Sequence, residues 1–534
     1  MDSTSKASRE IIFRIINGQI KTKKELEREK RRISKKYAFP QILKNSIILG
    51  NSNEEERVLV VDILRKRPTR TISGVSVVAV MTKPYKCPHE TAPCLYCPGG
   101  PKDDEIGTPQ SYTGLEPAAL RATQNNFDPF EQTKSRLEQL HAIGHPISKI
   151  DQILMGGTFF GLPLDYQENF IKGCIEAIIG ERTNTIEEAI LKAETSKNRL
   201  IGMTLETRPD FCKVEDLDRA LKWGATRIEI GVQTLYDEVF QYVKRGHGVS
   251  EVTNAFQVLR DHAFKVTAHM MPFLPKTTPE MDLECFKMLF TDERFIPDEI
   301  KIYPTLVVEG TELYQLWKKK QYIAPTNEDV IDFIVNVKKI IPKHVRIKRI
   351  LRDIPAYKIL AGPNKSNLRE LVWDKAKKEN VKCKCLRCRE VGHVNYKSGI
   401  EPDLEDIKLN VIEYKASGGR EYFLSFEDIK KDIIIGFLRL RYPSEKTRRP
   451  EIIKSKTTLV RELHVYGPEL ELGKSSLKNW QHQGYGRKLL EKAEQISKND
   501  LDCKKIVVIS GIGAREYYKK HNYEKDGPYV SKPL

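Results

Sequence analysis

Long apolar runs are missing from this sequence of 534 residues. No stretch approaches the roughly 18 consecutive apolar residues of a membrane-spanning helix, so no association with a membrane is expected. Residues 1–15, MDSTSKASREIIFRI, lack the apolar core of a secretory signal, and we therefore expect a cytoplasmic protein.

Acidic residues are too few to balance the basic ones. The chain has 73 Asp and Glu against 90 Lys and Arg, a formal net charge of +17. An excess of this size favours a polyanionic partner, most simply a nucleic acid. Residues 1–50 alone hold thirteen Lys and Arg against five Asp and Glu. Such a run is typical either of a solvated helix face or loose tail, or of a nucleic-acid-binding segment.

Cysteines are scattered singly outside two tight groups. In a sequence without a secretory signal, tight groups indicate bound metal more often than disulfides. Six of the ten cysteines form these groups: Cys87, Cys94 and Cys97, and Cys383, Cys385 and Cys388.

The pattern of the sequence divides the chain into four parts. Residues 1–70 predict basic helices, including one over 25–36 that is charged all round. Residues 71–361 alternate short apolar runs with helical stretches, which is typical of βα units around a parallel sheet, here a barrel or partial barrel. Residues 362–400 form a predicted linker. Residues 401–534 predict a separate α/β unit, so the predicted fold class is α/β throughout. The predicted strands include 75–81, 148–155, 200–205, 225–232, 265–270, 299–302 and 345–350, then 409–414, 421–425, 433–442 and 458–466.

The first cysteine group lies in a loop after the first predicted strand of the barrel. Its segment, CPHETAPCLYCPGG over 87–100, offers three thiolates and leaves one position of a four-ligand group open. A 4Fe–4S cluster held this way keeps one iron free, and the amino and carboxylate groups of S-adenosylmethionine (SAM) suit that iron. The alternative is a structural zinc loop with His89 as fourth ligand.

Motifs at four later strand ends resemble the radical SAM superfamily. MGGT resembles the loop that holds the SAM amino group, and LETRPD resembles the segment with the ribose and carboxylate partners. GVQ resembles a further strand end of the superfamily. MMP resembles the strand end that cradles adenine. All lie at C-terminal strand ends, where such barrels place active sites. The alternative for each is an ordinary strand-to-helix turn. The spacing C-x6-C-x2-C departs from the usual C-x3-C-x2-C, an extension found in one subfamily. The cofactor-binding residues that the resemblance implies are Gly156, Gly157, Glu206, Arg208, Gln233 and Met271.

A glycine-bearing loop in the last part of the chain predicts a coenzyme A site. QHQGYGR, over 481–487, matches Q-x-x-G-x-G/A, follows a predicted strand and opens a predicted helix. Small residues there expose backbone N–H groups at a helix N-terminus, which bind pyrophosphate. The predicted acetyl-CoA-binding residues are Gln481, Gly484, Tyr485, Gly486 and Arg487.

A tyrosine pair follows downstream, in AREYYKKHNY. This segment resembles the last helix of Gcn5-related acetyltransferases, in which a tyrosine hydroxyl acts as general acid towards the leaving thiolate. Tyr517 and Tyr518 are the candidates, and because adjacent helix residues face different ways, only one is expected to act; both being packing residues is the alternative. Glu462, on the preceding strand, is either a general base or a salt-bridged carboxylate.

The second cysteine group, CKCLRC over 383–388, predicts a zinc site. Three thiolates within six residues call for a fourth ligand, for which His393, His344 and a residue distant in sequence are candidates. Reduced thiols without metal are the alternative. The position between two catalytic units suggests a structural clamp rather than chemistry.

The order of the motifs resembles one family, the catalytic subunit of Elongator and its single-chain archaeal and bacterial relatives, the tRNA uridine acetyltransferases. The resemblance spans roughly residues 10–534 and rests on CPHETAPCLYCPGGP, LETRPD, EIGVQT, CKCLRCREVG, QHQGYG and AREYYKKHNYE. It implies a reaction at the wobble uridine of the tRNA anticodon loop. SAM would be cleaved to a 5′-deoxyadenosyl radical that abstracts hydrogen from the methyl group of acetyl-CoA, and the product would be 5-carboxymethyluridine.

The resemblance also gives the basic segment over 1–70 a partner, the tRNA backbone. Lys301 and Tyr303, at a predicted strand end, are candidates for contacting substrate between the two sites, or for a strand-end salt bridge. Alternatives are a protein lysine acetyltransferase, a non-catalytic tRNA-binding scaffold, and a radical SAM enzyme of other RNA chemistry. Partner subunits and a homodimer are both open.

Overall fold

The computed structural model describes residues 2–89, 93–101, 107–467 and 483–534. Four helices come first: α1 (Ser3–Ile16), α2 (Lys23–Lys36), α3 (Asn45–Gly50) and α4 (Glu54–Leu64). Apolar side chains from all four pack into one small core. The expectation that the second helix is charged all round is wrong, because Leu26 and Ile33 of α2 are buried in that core.

Carboxylates within this helical unit neutralise part of its own basic charge. Exposed pairs of this kind each contribute little stability, but they weaken the field that the unit presents to a polyanion. Six of its cations pair with acids of the same unit, at N–O distances of 2.5 to 3.5 Å: Arg9, Arg14, Lys30, Arg32, Lys36 and Arg65.

The barrel unit follows, and its strands and helices alternate as the sequence predicts. Its elements are β1 (Ser76–Met81), α5 (Pro117–Gln124), α6 (Pro129–Ala142), β2 (Lys149–Met155), α7 (Leu164–Ile179), α8 (Ile186–Thr195), β3 (Arg199–Thr207), α9 (Val214–Lys222), β4 (Arg227–Gln233), α10 (Asp237–Tyr242), α11 (Val249–Asp261), β5 (Lys265–Met270), α12 (Pro279–Thr291), β6 (Glu299–Ile302), β7 (Val307–Val308), α13 (Glu312–Lys318), α14 (Asn327–Ile340), β8 (Arg346–Ile350) and β9 (Ile359–Ala361).

Seven of these strands form one parallel sheet in the order β1-β2-β3-β4-β5-β6-β8. Chain order equals sheet order, and in the described residues the two outer strands do not pair, so the barrel is a partial one. The predicted fold is confirmed. All strands run the same way, and their C-terminal ends therefore meet at one rim, where the loops carrying the predicted SAM residues begin.

The segment predicted as a linker contains three helices, α15 (Leu368–Lys378), α16 (Leu386–Arg389) and α17 (Val391–Ser398). α15 packs on α14, and Leu386 N–H donates to the Val345 carbonyl at 3.0 Å. Cys385 is buried in the same core as the barrel. This segment is therefore ordered against the barrel unit rather than extended between units.

The C-terminal unit is a second, mixed sheet with helices against it. Its sheet order is β10-β11-β12-β13-β14-β16-β15, antiparallel except where β13 and β14 run parallel. None of the described helices in the chain is long and apolar enough to cross a membrane. The elements of this unit are β10 (Ile407–Ala416), β11 (Gly419–Asp428), β12 (Ile433–Tyr442), α18 (Pro450–Ile453), β13 (Thr457–Val465), α19 (Tyr485–Gln495), β14 (Lys505–Val508), α20 (Arg515–Lys519), β15 (Glu524–Asp526) and β16 (Tyr529–Pro533).

A buried network of charges joins the barrel unit to the C-terminal unit. Arg461 of β13 binds Asp298 of the barrel at 2.7 Å and Glu421 of β11 at 2.9 Å, and all three side chains are fully buried. Arg260 of α11 binds Glu421 at 2.8 Å, and Arg441 of β12 binds both Glu421 and the barrel's Asp261. Buried charges are tolerated only when paired and hydrogen-bonded, so this network fixes how the two units dock.

Candidate active site

A cavity of about 550 Å³ opens at the C-terminal rim of the barrel. We call it the thiol cavity, because the first cysteine group lines it. All the residues that the sequence assigned to the barrel site line it together, and so does Tyr303. They are Cys87, Cys94, Cys97, Gly156, Gly157, Glu206, Arg208, Gln233, Met271 and Lys301.

Hydrogen-bond donors surround two of the three thiols. Arg245 Nη1 lies 3.6 Å from Cys94 Sγ. Gln110 Nε2 lies 3.4 Å and Ser111 Oγ 3.0 Å from Cys97 Sγ. Donors aimed at sulfur stabilise thiolates that hold a metal group and tune its properties.

The spacing of these sulfur atoms separates the two cysteine groups. In the part of the chain that the structure describes, the sulfurs of Cys383, Cys385 and Cys388 all lie within 4.8 Å of one another, and those of the first group do not. Zn–S bonds of about 2.3 Å put the thiolates of a tetrahedral site about 3.8 Å apart. The wider group suits something larger than one ion, as a 4Fe–4S cluster is. The ring of His89, the candidate fourth ligand in the zinc alternative, packs against Gly246.

Two of the predicted SAM residues that line the thiol cavity carry polar atoms without a hydrogen-bond partner among the described residues. Arg208 binds Asp210 through Nε and Nη2, at 3.0 and 2.8 Å, while its Nη1 is buried with no partner among the described residues. Gln233 Oε1 is also buried and unpaired there, and its backbone is held at φ +71°. Buried unpaired groups are rare, so these atoms point to a missing polar ligand. A carboxylate and an amino group, as in SAM, would satisfy them.

Gly156 allows the backbone to approach the cavity wall closely. Its φ is +148°, and a Cβ there would lie 2.0 Å from the Thr82 hydroxyl oxygen. Any other residue would meet the Thr82 side chain and would also strain the backbone at this positive φ, which accounts for the glycine at this strand end.

Lys301 lies between two carboxylates at the floor of the thiol cavity. Its Nζ pairs with Glu229 and lies 3.5 Å from Glu206, which also accepts a 2.7 Å hydrogen bond from the Tyr112 hydroxyl. Burial alone lowers the pKa of Lys301, but Glu229, Tyr303 and Glu206 raise it above its ordinary value. Of the two roles predicted for Lys301, the structure therefore supports the salt bridge, which is buried and holds Glu206 at the cavity.

A second cavity, of about 1020 Å³, lies between the N-terminal end of the barrel and the C-terminal unit. We call it the interdomain cavity. Its C-terminal-unit wall includes Gly484, Tyr485, Gly486 and Arg487, while Gln481 lies outside the described residues. α19 begins at Tyr485, and the N-terminal end of this helix therefore lies at this space. Pyrophosphate of coenzyme A suits that helix end.

The two adjacent tyrosines differ in their surroundings. Tyr517 is partly exposed at the interdomain cavity, and its hydroxyl would lie 2.9 Å from a Cβ placed on Gly486. Burial raises the pKa of Tyr517 to about 12. Tyr518 is buried in the core of the C-terminal unit, with its ring 5.9 Å from that of Tyr523. The geometry therefore favours Tyr517 as the residue that reaches a ligand.

Glu462 is salt-bridged rather than free. Its Oε1 lies 2.5 Å from Lys265 Nζ of the barrel, and its Oε2 lies 3.0 Å from Arg439 Nε. Burial alone would raise the pKa of Glu462, but Lys265 and Arg439 hold it below the ordinary value. Of the two predicted roles, the structure supports the salt-bridged carboxylate.

The two cavities are adjacent and share part of their lining. Arg70, Val77 and Lys348 line both of them. Lys348 lies in the middle, 3.2 Å from Glu229 on the thiol side and 3.3 Å from Glu299 on the interdomain side. We call the barrel interior around these residues the lumen.

Sequence reasoning missed the charges of this lumen. The signal was present, since charged residues occupy alternate positions of short parallel strands, such as Arg227 and Glu229 in β4, or Arg346 and Lys348 in β8. Strands of a parallel sheet buried on both faces are normally apolar throughout. Alternating charge in such strands indicates a polar interior.

The cysteine trio of Cys383, Cys385 and Cys388 lies beside α14, and none of its members lines either cavity. Lys338 Nζ of that helix is 3.7 Å from Cys388 Sγ. The described residues place neither candidate histidine in the trio.

Each candidate histidine has another environment. His344 stacks on the Tyr414 ring at a centroid distance of 4.2 Å. His393 lines the interdomain cavity. Burial is the main cause that lowers the pKa of each to about 3, so both are neutral at physiological pH.

Comparison with known proteins covers nearly the whole chain. Four family models match: the ELP3 N-terminal domain at residues 4–72, the Radical SAM superfamily at 82–289, the Radical_SAM C-terminal domain at 297–378, and the Acetyltransferase (GNAT) family at 393–523. The matches follow the order of the units described above.

Full-length relatives share this order. The tRNA uridine(34) acetyltransferase of Methanocaldococcus jannaschii is 50% identical over 543 residues, covering 100% of this chain and 99% of that protein. Elongator complex protein 3 of Schizosaccharomyces pombe is 43% identical, covering 99% and 98%. A solved structure of Methanocaldococcus infernus Elp3 with an N-terminal deletion superposes with a TM-score of 0.77 at 46% identity, covering 87% of this chain and 100% of that one.

Proposed function

This chain belongs to the family of Elongator complex protein 3 and the tRNA uridine(34) acetyltransferases, and from that premise we propose that it modifies the wobble uridine of tRNA. Acetyl-CoA and SAM are the proposed co-substrates, and 5-carboxymethyluridine is the proposed product. The proposed site of action is the cytoplasm.

One observation carries the proposal beyond family membership: the thiol cavity and the interdomain cavity are adjacent and share Lys348 in their lining. A radical enzyme that uses the acetyl group of acetyl-CoA needs both ligands within reach of one acceptor. A protein lysine acetyltransferase would have no use for a cysteine-lined cavity next to its acetyl-CoA site.

In the thiol cavity, Cys87, Cys94 and Cys97 would hold a 4Fe–4S cluster. When bound, that cluster supplies the electron for reductive cleavage of SAM to a carbon radical. Arg208 Nη1 and Gln233 Oε1, which are buried without a partner among the described residues, would bind the polar groups of SAM. Glu206, the predicted ribose partner, is kept in position by Lys301 and Tyr112.

In the interdomain cavity, the N-terminus of α19 would bind the pyrophosphate of acetyl-CoA. Tyr517 would donate a proton to the thiolate that leaves when the thioester is hydrolysed. With a pKa of about 12, its hydroxyl is protonated throughout the physiological range.

Replacing Tyr517 with phenylalanine is expected to slow tRNA-dependent hydrolysis of acetyl-CoA by about 100-fold, the usual contribution of a positioned general acid. The wild-type rate should not fall between pH 7 and pH 10 through ionisation of this group, because its pKa is raised to about 12. Free thiol release measures the rate. Tyr518→Phe is the matched control, since its ring is core packing. Equal effects of the two changes would rule out the assignment.

Zinc is the proposed occupant of the trio of Cys383, Cys385 and Cys388, with a structural role. We expect about one zinc per chain, and less than a tenth of that in Cys385→Ser, because a closed site rarely survives loss of a thiolate. Elemental analysis of anaerobically purified protein measures this. Cys503→Ser, a buried cysteine of the C-terminal unit, is the control and should keep its zinc. Zinc retained in Cys385→Ser would contradict the site.

The proposed function is tested with anaerobically reconstituted protein, acetyl-CoA and SAM, with and without tRNA. The expected result is acetyl-CoA turnover that requires tRNA, and SAM-dependent carboxymethyluridine found by nucleoside mass spectrometry. Acetylation of protein lysines without any tRNA requirement would instead establish the lysine acetyltransferase. tRNA binding without turnover of either co-substrate would establish the scaffold.

A further inference from the structure

Four arginines line the thiol cavity together with the cysteines. Arg67 and Arg70 come from the turn before β1, Arg121 from α5 and Arg136 from α6. We call them the arginine cluster. No motif of the sequence marks them, because three separate segments bring them together.

The cluster has no acidic partner among the described residues. None of the four appears in an ion pair there, although the cavity wall also holds paired cations such as Lys301 and Arg349. Burial is the main cause that lowers the pKa of Arg136, to about 10, and the nearby Arg121 and Arg70 lower it further. A guanidinium destabilised by its neighbours is ready to accept an anion.

Arg121 also has no acidic partner among the described residues, although it is buried in the fold. Its side chain is only 8% exposed, and its Nε is buried without a hydrogen-bond partner among the described residues. Its Nη atoms reach only backbone carbonyls, at 3.4 Å each. Buried charges without a counter-charge are costly, so a site that keeps one is normally completed by a ligand.

The N-terminal helices and the thiol cavity differ in how far acidic residues balance their basic residues. Those helices contain the densest run of basic residues, yet six of their cations are paired within their own unit. The thiol cavity is lined by eleven Lys and Arg against four Asp and Glu. The thiol cavity therefore carries an excess of positive charge, and the arginine cluster is a part of it that no acidic side chain of the described residues balances.

We propose that the arginine cluster binds the phosphodiester backbone of an RNA strand whose base enters the thiol cavity. This inference rests on the proposed function and adds the surface that orients the substrate. Guanidinium groups bind phosphate oxygens in a bidentate manner, which suits them to a backbone at a fixed position. Because the cluster and the thiols line one cavity, the bound phosphates are those next to the reacting nucleotide.

The test uses the full chain and a labelled tRNA anticodon stem-loop. The variant Arg67→Gln/Arg70→Gln/Arg136→Gln removes three charges and leaves the buried Arg121 intact. The control Lys408→Gln/Lys415→Gln/Lys454→Gln removes the same charge from exposed lysines that line neither cavity. Arg67→Gln/Arg70→Gln, at two exposed positions, serves if the triple variant does not fold.

Fluorescence anisotropy at several salt concentrations gives the result. We expect the cluster variant to bind at least ten-fold more weakly at 0.1 M salt, with the slope of log K against log salt reduced by about two. The expected change in slope follows because each phosphate contact with a single strand contributes roughly 0.7 to the slope, and the variant removes three arginines. The control should bind within two-fold of wild type.

Other outcomes separate the possibilities. Failure of the wild-type protein to bind the stem-loop would contradict the proposed function itself. Wild-type binding with an unchanged affinity and slope in the cluster variant would overturn only the arginine cluster. The cluster would serve coenzyme A phosphates instead if the variant lost affinity for acetyl-CoA and kept its RNA salt slope, and this too would overturn the inference.

Discussion

Cys94→Ser will abolish SAM cleavage and leave the acetyl-CoA site intact. Cys94 is buried at 6% exposure in the thiol cavity, and Arg245 Nη1 lies 3.6 Å from its sulfur. Serine has nearly the same shape but offers no thiolate, so the proposed cluster would lose one of three protein ligands. Production of 5′-deoxyadenosine should fall to the level without enzyme, and cluster absorbance near about 400 nm should disappear.

The same variant should bind acetyl-CoA with wild-type affinity, because the loop around Gly486 lines the other cavity. Cys503→Ser is the matched control. Its sulfur is buried and lies 3.7 Å from the Leu501 carbonyl, to which a serine hydroxyl can also donate. The control should keep full cluster content. Undiminished SAM cleavage by Cys94→Ser would remove the first cysteine group from the mechanism.

Arg461→Met is expected to destabilise the folded chain by about 3 kcal/mol. Removing one partner of a buried ion pair typically costs about 3–5 kcal/mol, because the remaining charge has lost its compensation. We expect the lower end of this range, because both carboxylates retain another ion pair. Asp298 still pairs with Arg439 at 3.4 Å, and Glu421 still pairs with Arg260 at 2.8 Å. Urea unfolding measures the change. The docking of the two units should loosen as well, detectable as faster hydrogen exchange in β13.

Lys287→Met is the control for this prediction. Lys287 forms an exposed pair with Glu284 at 2.9 Å, and exposed pairs contribute about 0–1 kcal/mol. Arg461→Met and Lys287→Met remove the same charge and substitute the same side chain. If the two variants lose similar stability, the charge network between the units does not hold them together.

Much of the architecture follows from local pattern. The strands predicted over 265–270, 299–302 and 433–442 have the bounds that the structure gives to β5, β6 and β12. Apolar runs and helical periodicity are properties of neighbouring residues, which is why they are visible in one sequence. The ends of parallel strands converge by geometry, so the SAM-site residues at those ends could be grouped before the fold was known.

Local pattern was insufficient between residues 362 and 400. The segment lacks a strong repeat, and its helices are short, except for α15. They form because Leu368, Val372 and Cys385 find a partner surface on the barrel. Packing against a distant surface overrides weak propensity, and one sequence does not reveal where that surface is.

The sequence by itself determined the chemistry available to this protein: two cysteine groups of metal-binding spacing, a coenzyme A loop, and a parallel repeat that gathers its strand ends at one rim. Tertiary structure decided which of those groups act together. It left Tyr517 partly exposed at the interdomain cavity and buried Tyr518 in the core of the C-terminal unit. It also paired Glu462 with Lys265, and it gathered Arg70, Arg121 and Arg136 at the thiol cavity. The physical reason is that charge pairing and burial depend on distances between residues far apart in the chain, which folding sets and composition does not.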